Sequence, residues 1–130
     1  WDPFLAAAEK QIGARVLADG TGIVANHQFF LASRSYAEKN PKIISILLDE
    51  LDQVDQWSSK NLAEVSKVLV AQTGLDAPSV ELAAKRYSYG VKPVTAEVIA
   101  EQQKIADVFS NLKLIPKKIT VKDALVSAKR

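Results

Sequence analysis

The sequence predicts an α/β fold in which two strand candidates near the front precede about six helices. Three observations carry that reading. Residues 27–32, HQFFLA, are aromatic-rich and almost continuously apolar, as in a strand buried on both faces of a mostly parallel sheet. From residue 41 onward, apolar residues recur at i, i+3 and i+4, the stripe of amphipathic helices. Between these stretches stand cap and breaker signals: Asp2-Pro3, Asn40-Pro41, Gly74, Asp76-Ala77-Pro78 and Thr95.

In chain order, Asp2 reads as an N-cap with Pro3 in the first helical position, opening a helix to Ile12 that Gly13 stops. Natural chains rarely begin one residue before a cap, so the start at Trp1 leads us to expect the back part of something longer. ARVL (14–17) reads as a short strand closed by the turn DGTG, and 27–32 as the second strand. One or two helical turns follow over 35–39. Asn40-Pro41 then starts a helix with Ile43, Ile44, Leu47, Leu48, Leu51 and Val54 on one stripe. Ser59 or a neighbour is expected to cap the next helix, which carries Leu62, Val65, Val68 and Leu69 and ends at Gly74.

Asp76 begins a short helix to about Lys85, and YSYGVKP (87–93) is a non-helical connector. Thr95 caps a long helix to about Asn111. The tail reads as an extended piece and a last helix capped by Thr120, with Asp123 in a weak capping box. Two strands alone do not make a stable sheet, so their partners are expected elsewhere.

Composition narrows the function. Of 130 residues, 48% are apolar and 25% charged, ordinary for a globular domain. The net charge of +2, with its basic residues scattered, gives no nucleic-acid footprint. No run of about 18 apolar residues suggests a membrane span. Without cysteine there are no disulfides, thiolate metal sites or cysteine nucleophiles, a composition equally compatible with cytoplasm and periplasm. A single histidine, His27, excludes a histidine-rich metal site, and no phosphate-binding glycine motif occurs. No cofactor is implied.

Each residue singled out for chemistry has a structural reading beside the functional one. Asp2 and Pro3 cap a helix; the helix start also offers free N–H groups that suit an anion, with Trp1 placed to cover an apolar tail. Asp2 would repel an anion, and is better suited to a ligand amine or to fixing its loop. Asn26, His27 and Gln28 form either a satisfied polar trio at a strand edge or donors at the mouth of a cleft. The carboxylates at 49, 50, 52 and 55 read as a solvated helix face. Arg86 with Tyr87 and Tyr89 could hold a sulfonate or carboxylate, and reads more readily as a pin between the loop and a neighbouring helix. Lys117-Lys118 and Lys129-Arg130 are solvated charge.

Taken together, WDPF, ARVLADGTG, FFLASRSYAEKNP, the YGVKPVT connector, EVIAEQQKIADVF and LIPKKITVKDAL stand in the order found in the periplasmic aliphatic-sulfonate-binding proteins of ABC importers. The chain resembles the C-terminal part of such a protein. The resemblance implies a type II periplasmic binding-protein fold, two α/β lobes around an interlobe cleft. Residues 1–33 would belong to one lobe and lead into the hinge strand. Residues 34–130 would pack on the lobes as helices, and the N-terminal lobe would be missing.

The resemblance places Trp1 and Asp2 on the cleft motif and Asn26, His27 and Gln28 on the segment entering the hinge. It implies a periplasmic receptor that binds an alkanesulfonate-like anion, delivers it to a permease, and catalyses nothing. Its partner would be the missing lobe or a second chain. The alternatives are a nitrate- or taurine-binding relative, a thiamine-precursor protein or enzyme of the same fold that uses its histidine, and a helical interaction module.

Overall fold

A computed structural model describes residues 1–126, which contain six α-helices, one 3₁₀ turn and no strand. The strand expectation is therefore corrected: 14–17 and 27–32 lie outside any ladder. A strand requires a partner backbone about 4.8 Å away, and among the described residues neither segment forms a ladder. Local sequence makes these segments apolar and favours strand, but only a neighbour can make them a sheet. Phe30 and Leu31, read as doubly buried, are 64% and 92% exposed.

The chain divides into two compact units: 1–25 with 48–91, and 26–47 with 92 onward. In the first, α5 (Ala77–Arg86) packs against α1 (Phe4–Gln11) and α4 (Leu62–Thr73). The buried side chains at this junction are small: Ala6, Ser79, Val80 and Ala84. Small residues let helix backbones approach closely. Their hydroxyls need partners when buried. Ser79 Oγ donates to the Asp76 carboxylate at 2.8 and 3.0 Å, and Ser66 Oγ to the Leu62 carbonyl at 2.8 Å.

Asp76 caps α5 as expected, accepting the Ser79 N–H at 3.0 Å, and Gly74 ends α4 in the left-handed conformation at φ 69°. Two boundaries differ from expectation. Helix α1 begins at Phe4, with Pro3 in the cap position, yet the Asp2 carboxylate still accepts the Ala6 N–H at 2.9 Å. Helix α3 (Pro41–Lys60) runs past Ser59, whose hydroxyl turns back to the Gln56 carbonyl at 2.8 Å instead of capping forward. Asn61 makes the break, with its side chain donating to the Trp57 carbonyl at 2.7 Å.

In the second unit, Ser33 caps α2 (Arg34–Lys39) and Thr95 caps α6 (Ala96–Asn111). Gln103 on α6 holds the tail: its oxygen accepts the Val121 N–H at 2.8 Å and its amide donates to the Ile119 carbonyl at 3.0 Å. Arg34 donates to the Asp123 carbonyl. The expected last helix is a 3₁₀ turn, Val121–Ala124, and Thr120 makes no side-chain cap. Lys129 and Arg130 lie outside the described residues. No residue of α6 is buried, and Ile105, Val108 and Phe109 stand about half exposed.

Exposure of this kind extends through both units.

Candidate ligand-binding site

The residues singled out in the sequence fall into two groups. Trp1 and Asp2 belong to the first unit, and Asn26, His27 and Gln28 to the second.

In the first unit, Trp1 is 87% exposed and packs edge-on against Phe4, their rings 5.9 Å apart. Its carbonyl accepts the Leu5 N–H at 3.1 Å, so the indole is carried on the first turn of α1. Asp2 accepts from Ala6, and Arg86 Nη1 lies 3.6 Å from the same oxygen. Arg86 Nη2 lies 2.6 Å from Glu9 Oε2, a buried atom without an aligned hydrogen bond, so the guanidinium supplies its compensation. Arg86 is thus the pin between α5 and α1. Asp2 fixes its own loop, and the Leu5 and Ala6 N–H groups at the helix start are already engaged.

Behind Asp2 lies a cleft of about 330 Å³, lined by Leu69, Val80, Tyr87, Tyr89, Asp2 and Asp55 among others. Its two charged lining groups, Asp2 and Asp55, are acceptors. The cleft therefore suits an apolar group, not an anionic head. The connector forms one wall. Asp55 accepts the Gly90 N–H and Asp52 the Val91 N–H, each at 2.9 Å. Tyr89 donates its hydroxyl to the Ala84 carbonyl at 3.0 Å and meets Tyr87 edge-on at 4.9 Å. Burial, then the Asp55 charge and Tyr87, push the Tyr89 hydroxyl above the ordinary tyrosine value.

In the second unit, His27 Nε2 lies 3.0 Å from Glu101 Oε2 on α6, and its ring is 6.3 Å from that of Phe29. Asn26 and Gln28 flank it on the exposed segment.

With this geometry in place, known proteins supply the comparison. No family model matches the chain. A curated relative from Escherichia coli (strain K12), described provisionally as an aliphatic sulfonates-binding protein, is 40% identical over 127 residues. That alignment covers 96% of this chain and 40% of the relative. The solved periplasmic aliphatic sulphonate binding protein SsuA from Escherichia coli superposes with a TM-score of 0.90 at 37% identity, over 98% of this chain and 42% of its own. The chain resembles part of an aliphatic-sulfonate-binding protein. A second such protein, the alkanesulfonate-binding SsuA from Xanthomonas axonopodis pv. citri bound to MOPS, matches at TM-score 0.84 and 34% identity, over 97% of this chain and 44% of its own. The chain spans less than half the length of each of these sulfonate-binding proteins. The family resemblance drawn from the motifs is upheld, and the match to a type II binding-protein fold is partial.

Sequence reasoning missed four members of these networks. Glu9 gave no signal. Arg86 was read correctly as a pin, but its partners lie at long sequence separation. Asp52 and Asp55 were read as solvated; their i, i+3 spacing, which puts both on one side of α3, was the available signal. Glu101, the partner of His27, sits among ordinary helix-surface charges.

Proposed function

We propose that this chain forms the C-terminal part of an extracytoplasmic solute-binding component of an ABC importer. Residues 1–33 lead into the hinge crossing and residues 34–130 pack on the lobes. The ligand is an aliphatic sulfonate or a related small anion, delivered to a permease from the periplasm. The observation that carries this reading is the similarity, at 37% identity over 98% of the chain, to a solved sulfonate-binding protein.

The geometry supports a division of labour. Trp1, exposed on the first turn of α1, offers an indole face to the alkyl chain. Asp2 is a positioning residue, holding that turn through Ala6 and Arg86. Asn26, His27 and Gln28 supply polar contacts from the segment entering the hinge. The charge-neutralising donors for the sulfonate lie outside the cleft beside Asp2, because that cleft presents carboxylates. Nothing in this arrangement requires bond making. The protein works by binding its ligand better in a closed than in an open state.

The test is a graft in which this chain replaces the matched part of the Escherichia coli relative. Calorimetric titration follows with alkanesulfonates of increasing length, taurine, nitrate and sulfate. Saturable binding of alkanesulfonates, weakened by Trp1→Ala, is the expected result. A folded graft that binds none of them overturns the proposal.

A further inference from the structure

We infer that the cleft of the first unit binds a small alkylated ammonium ion, whether or not the protein also takes a sulfonate. Its lining comes from Asp2 and Pro3 before α1, Asp55 on α3, and residues of α4, α5 and the connector. Every one of them lies within the one unit. Its volume, about 330 Å³, falls at the lower end of the roughly 300–1,000 Å³ of small-molecule pockets. It has room for one charged centre with its methyl groups and a short chain.

The cleft has a closed floor and an aromatic mouth. Val80 and Ala84 are 1% and 4% exposed and lie at the bottom, where α5 packs on α4. Tyr87 and Leu69 are 46% and 37% exposed and stand at the opening. The rings of Tyr87 and Tyr89 meet at 4.9 Å with 62° between their planes, so they form two differently directed walls. Tyr89 is held in place by its hydrogen bond to the Ala84 carbonyl, and the next residue by the bond from Gly90 N–H to Asp55. The face of an aromatic ring carries negative potential and attracts a cation.

Charge selects the same class of ligand. Two carboxylates line the cleft, and no described basic residue does. They are not equivalent. Asp2 is met by Arg86 and by the Ala6 N–H. Asp55 accepts only the neutral Gly90 N–H, and no ion pair among the described residues involves it. Apolar walls concentrate the field of such an uncompensated charge. That field reaches the cleft wall: after burial, the Asp55 charge is the next cause that raises Tyr89. An anion is repelled here, and a neutral apolar molecule would desolvate Asp55 without giving it a partner.

Hydrogen bonding then separates an alkylated ammonium from a bare one. A primary ammonium brings three N–H donors that need acceptors. The hydroxyls in the cleft are already committed, Tyr89 to Ala84 and Thr73 to the Leu69 carbonyl at 2.7 Å and the Leu75 N–H at 3.3 Å. A quaternary ammonium has no N–H to satisfy, and its methyl groups suit the rings and the aliphatic floor.

The test titrates the chain with choline, a small quaternary ammonium, and with its neutral carbon isostere dimethylbutanol, reading the methyl resonances of Leu69, Val80 and Ala84. Choline should saturate with a dissociation constant on the order of 1 mM, and dimethylbutanol should bind at least about fivefold more weakly. Asp55→Asn keeps an oxygen for the Gly90 N–H, and Tyr87→Leu keeps bulk without an aromatic face. Each should weaken choline about threefold and leave dimethylbutanol unchanged. Leu69→Trp, which fills the mouth, should abolish binding of both. Equal affinity for the two ligands would mean an apolar pocket and overturn the inference. So would a folded chain that shows no shift up to about 50 mM choline, or choline shifts that survive Leu69→Trp. Should Leu69→Trp not fold, the contrast between the two ligands on Asp55→Asn decides alone. No sulfonate is present in these titrations, so a failed sulfonate titration of the graft leaves their result standing.

Discussion

Replacing Arg86 with methionine tests whether the α1–α5 junction is held by charge. The guanidinium lies 2.6 Å from Glu9 and 3.6 Å from Asp2, with side-chain exposures of 36%, 20% and 24% for Arg86, Glu9 and Asp2. Fully exposed pairs contribute about 0.2–1 kcal/mol, whereas breaking a fully buried pair costs about 3–5 kcal/mol. Partial exposure places this network between the two, at roughly 1–3 kcal/mol. Methionine keeps most of the apolar stem, so the loss reads the charge and not the packing. The Glu9 oxygen would be left buried without compensation, which sets the larger part of the cost.

Urea unfolding followed by far-ultraviolet dichroism is the assay, with a midpoint expected to fall by about 1 M. Glu9→Gln should cost less, because it removes the stranded charge itself. The double variant should then show a coupling of about 1 kcal/mol. A coupling within about 0.3 kcal/mol of zero would refute the argument and reduce Arg86 to a packing residue.

Further predictions concern the caps and the connector. Asp52→Ala with Asp55→Ala frees the Gly90 and Val91 N–H groups, so trypsin should cleave after Arg86 several-fold faster; unchanged cleavage would show that the two carboxylates do not hold the loop. The Asp76 carboxyl is held below its ordinary 3.8 by Gln11 first and then by Ser79. A lowered folded value means that its stabilisation is fully present above pH 3.8 and is lost as pH falls through the folded value, so Asp76→Asn should flatten the acid limb of the stability curve below that point. The raised Tyr89 value has the opposite consequence: its contribution is present below pH 10.0 and fades as pH rises beyond it. Tyr89→Phe should remove that alkaline loss and cost about 1 kcal/mol at neutral pH through the hydrogen bond to Ala84, measured by urea unfolding.

The helices were legible in the sequence because their signals are local. Asp76, Thr95, Gly74 and Asn40-Pro41 each act within a turn of their own position, and each falls at an observed helix boundary. Ser59 failed as a cap for a local reason too. A hydroxyl inside a helix can satisfy itself on the carbonyl three or four residues back, and Ser59 does so on Gln56. The two strand candidates form no ladder among the described residues because a strand is not a local object. The pattern HQFFLA specifies a chain that is extended and wants burial on both faces. Whether it becomes a strand depends on a neighbour, and no described residue supplies one.

The same distinction decides how much of the candidate site could be read. Trp1 and Asp2 were visible because a cap motif marks them, and the Ala6 N–H confirms that Asp2 still serves α1. Its engagement with Arg86, 84 positions away, has no sequence periodicity to announce it. Once that contact is known, the chemistry of the site changes. An aspartate paired with an arginine and a backbone N–H is a support for the turn that presents Trp1. The cationic partner that a sulfonate needs is then absent from the cleft beside Asp2, where Arg86 is committed to Asp2 and Glu9. Under the proposed sulfonate-binding reading, the anion-binding donors therefore lie outside that cleft.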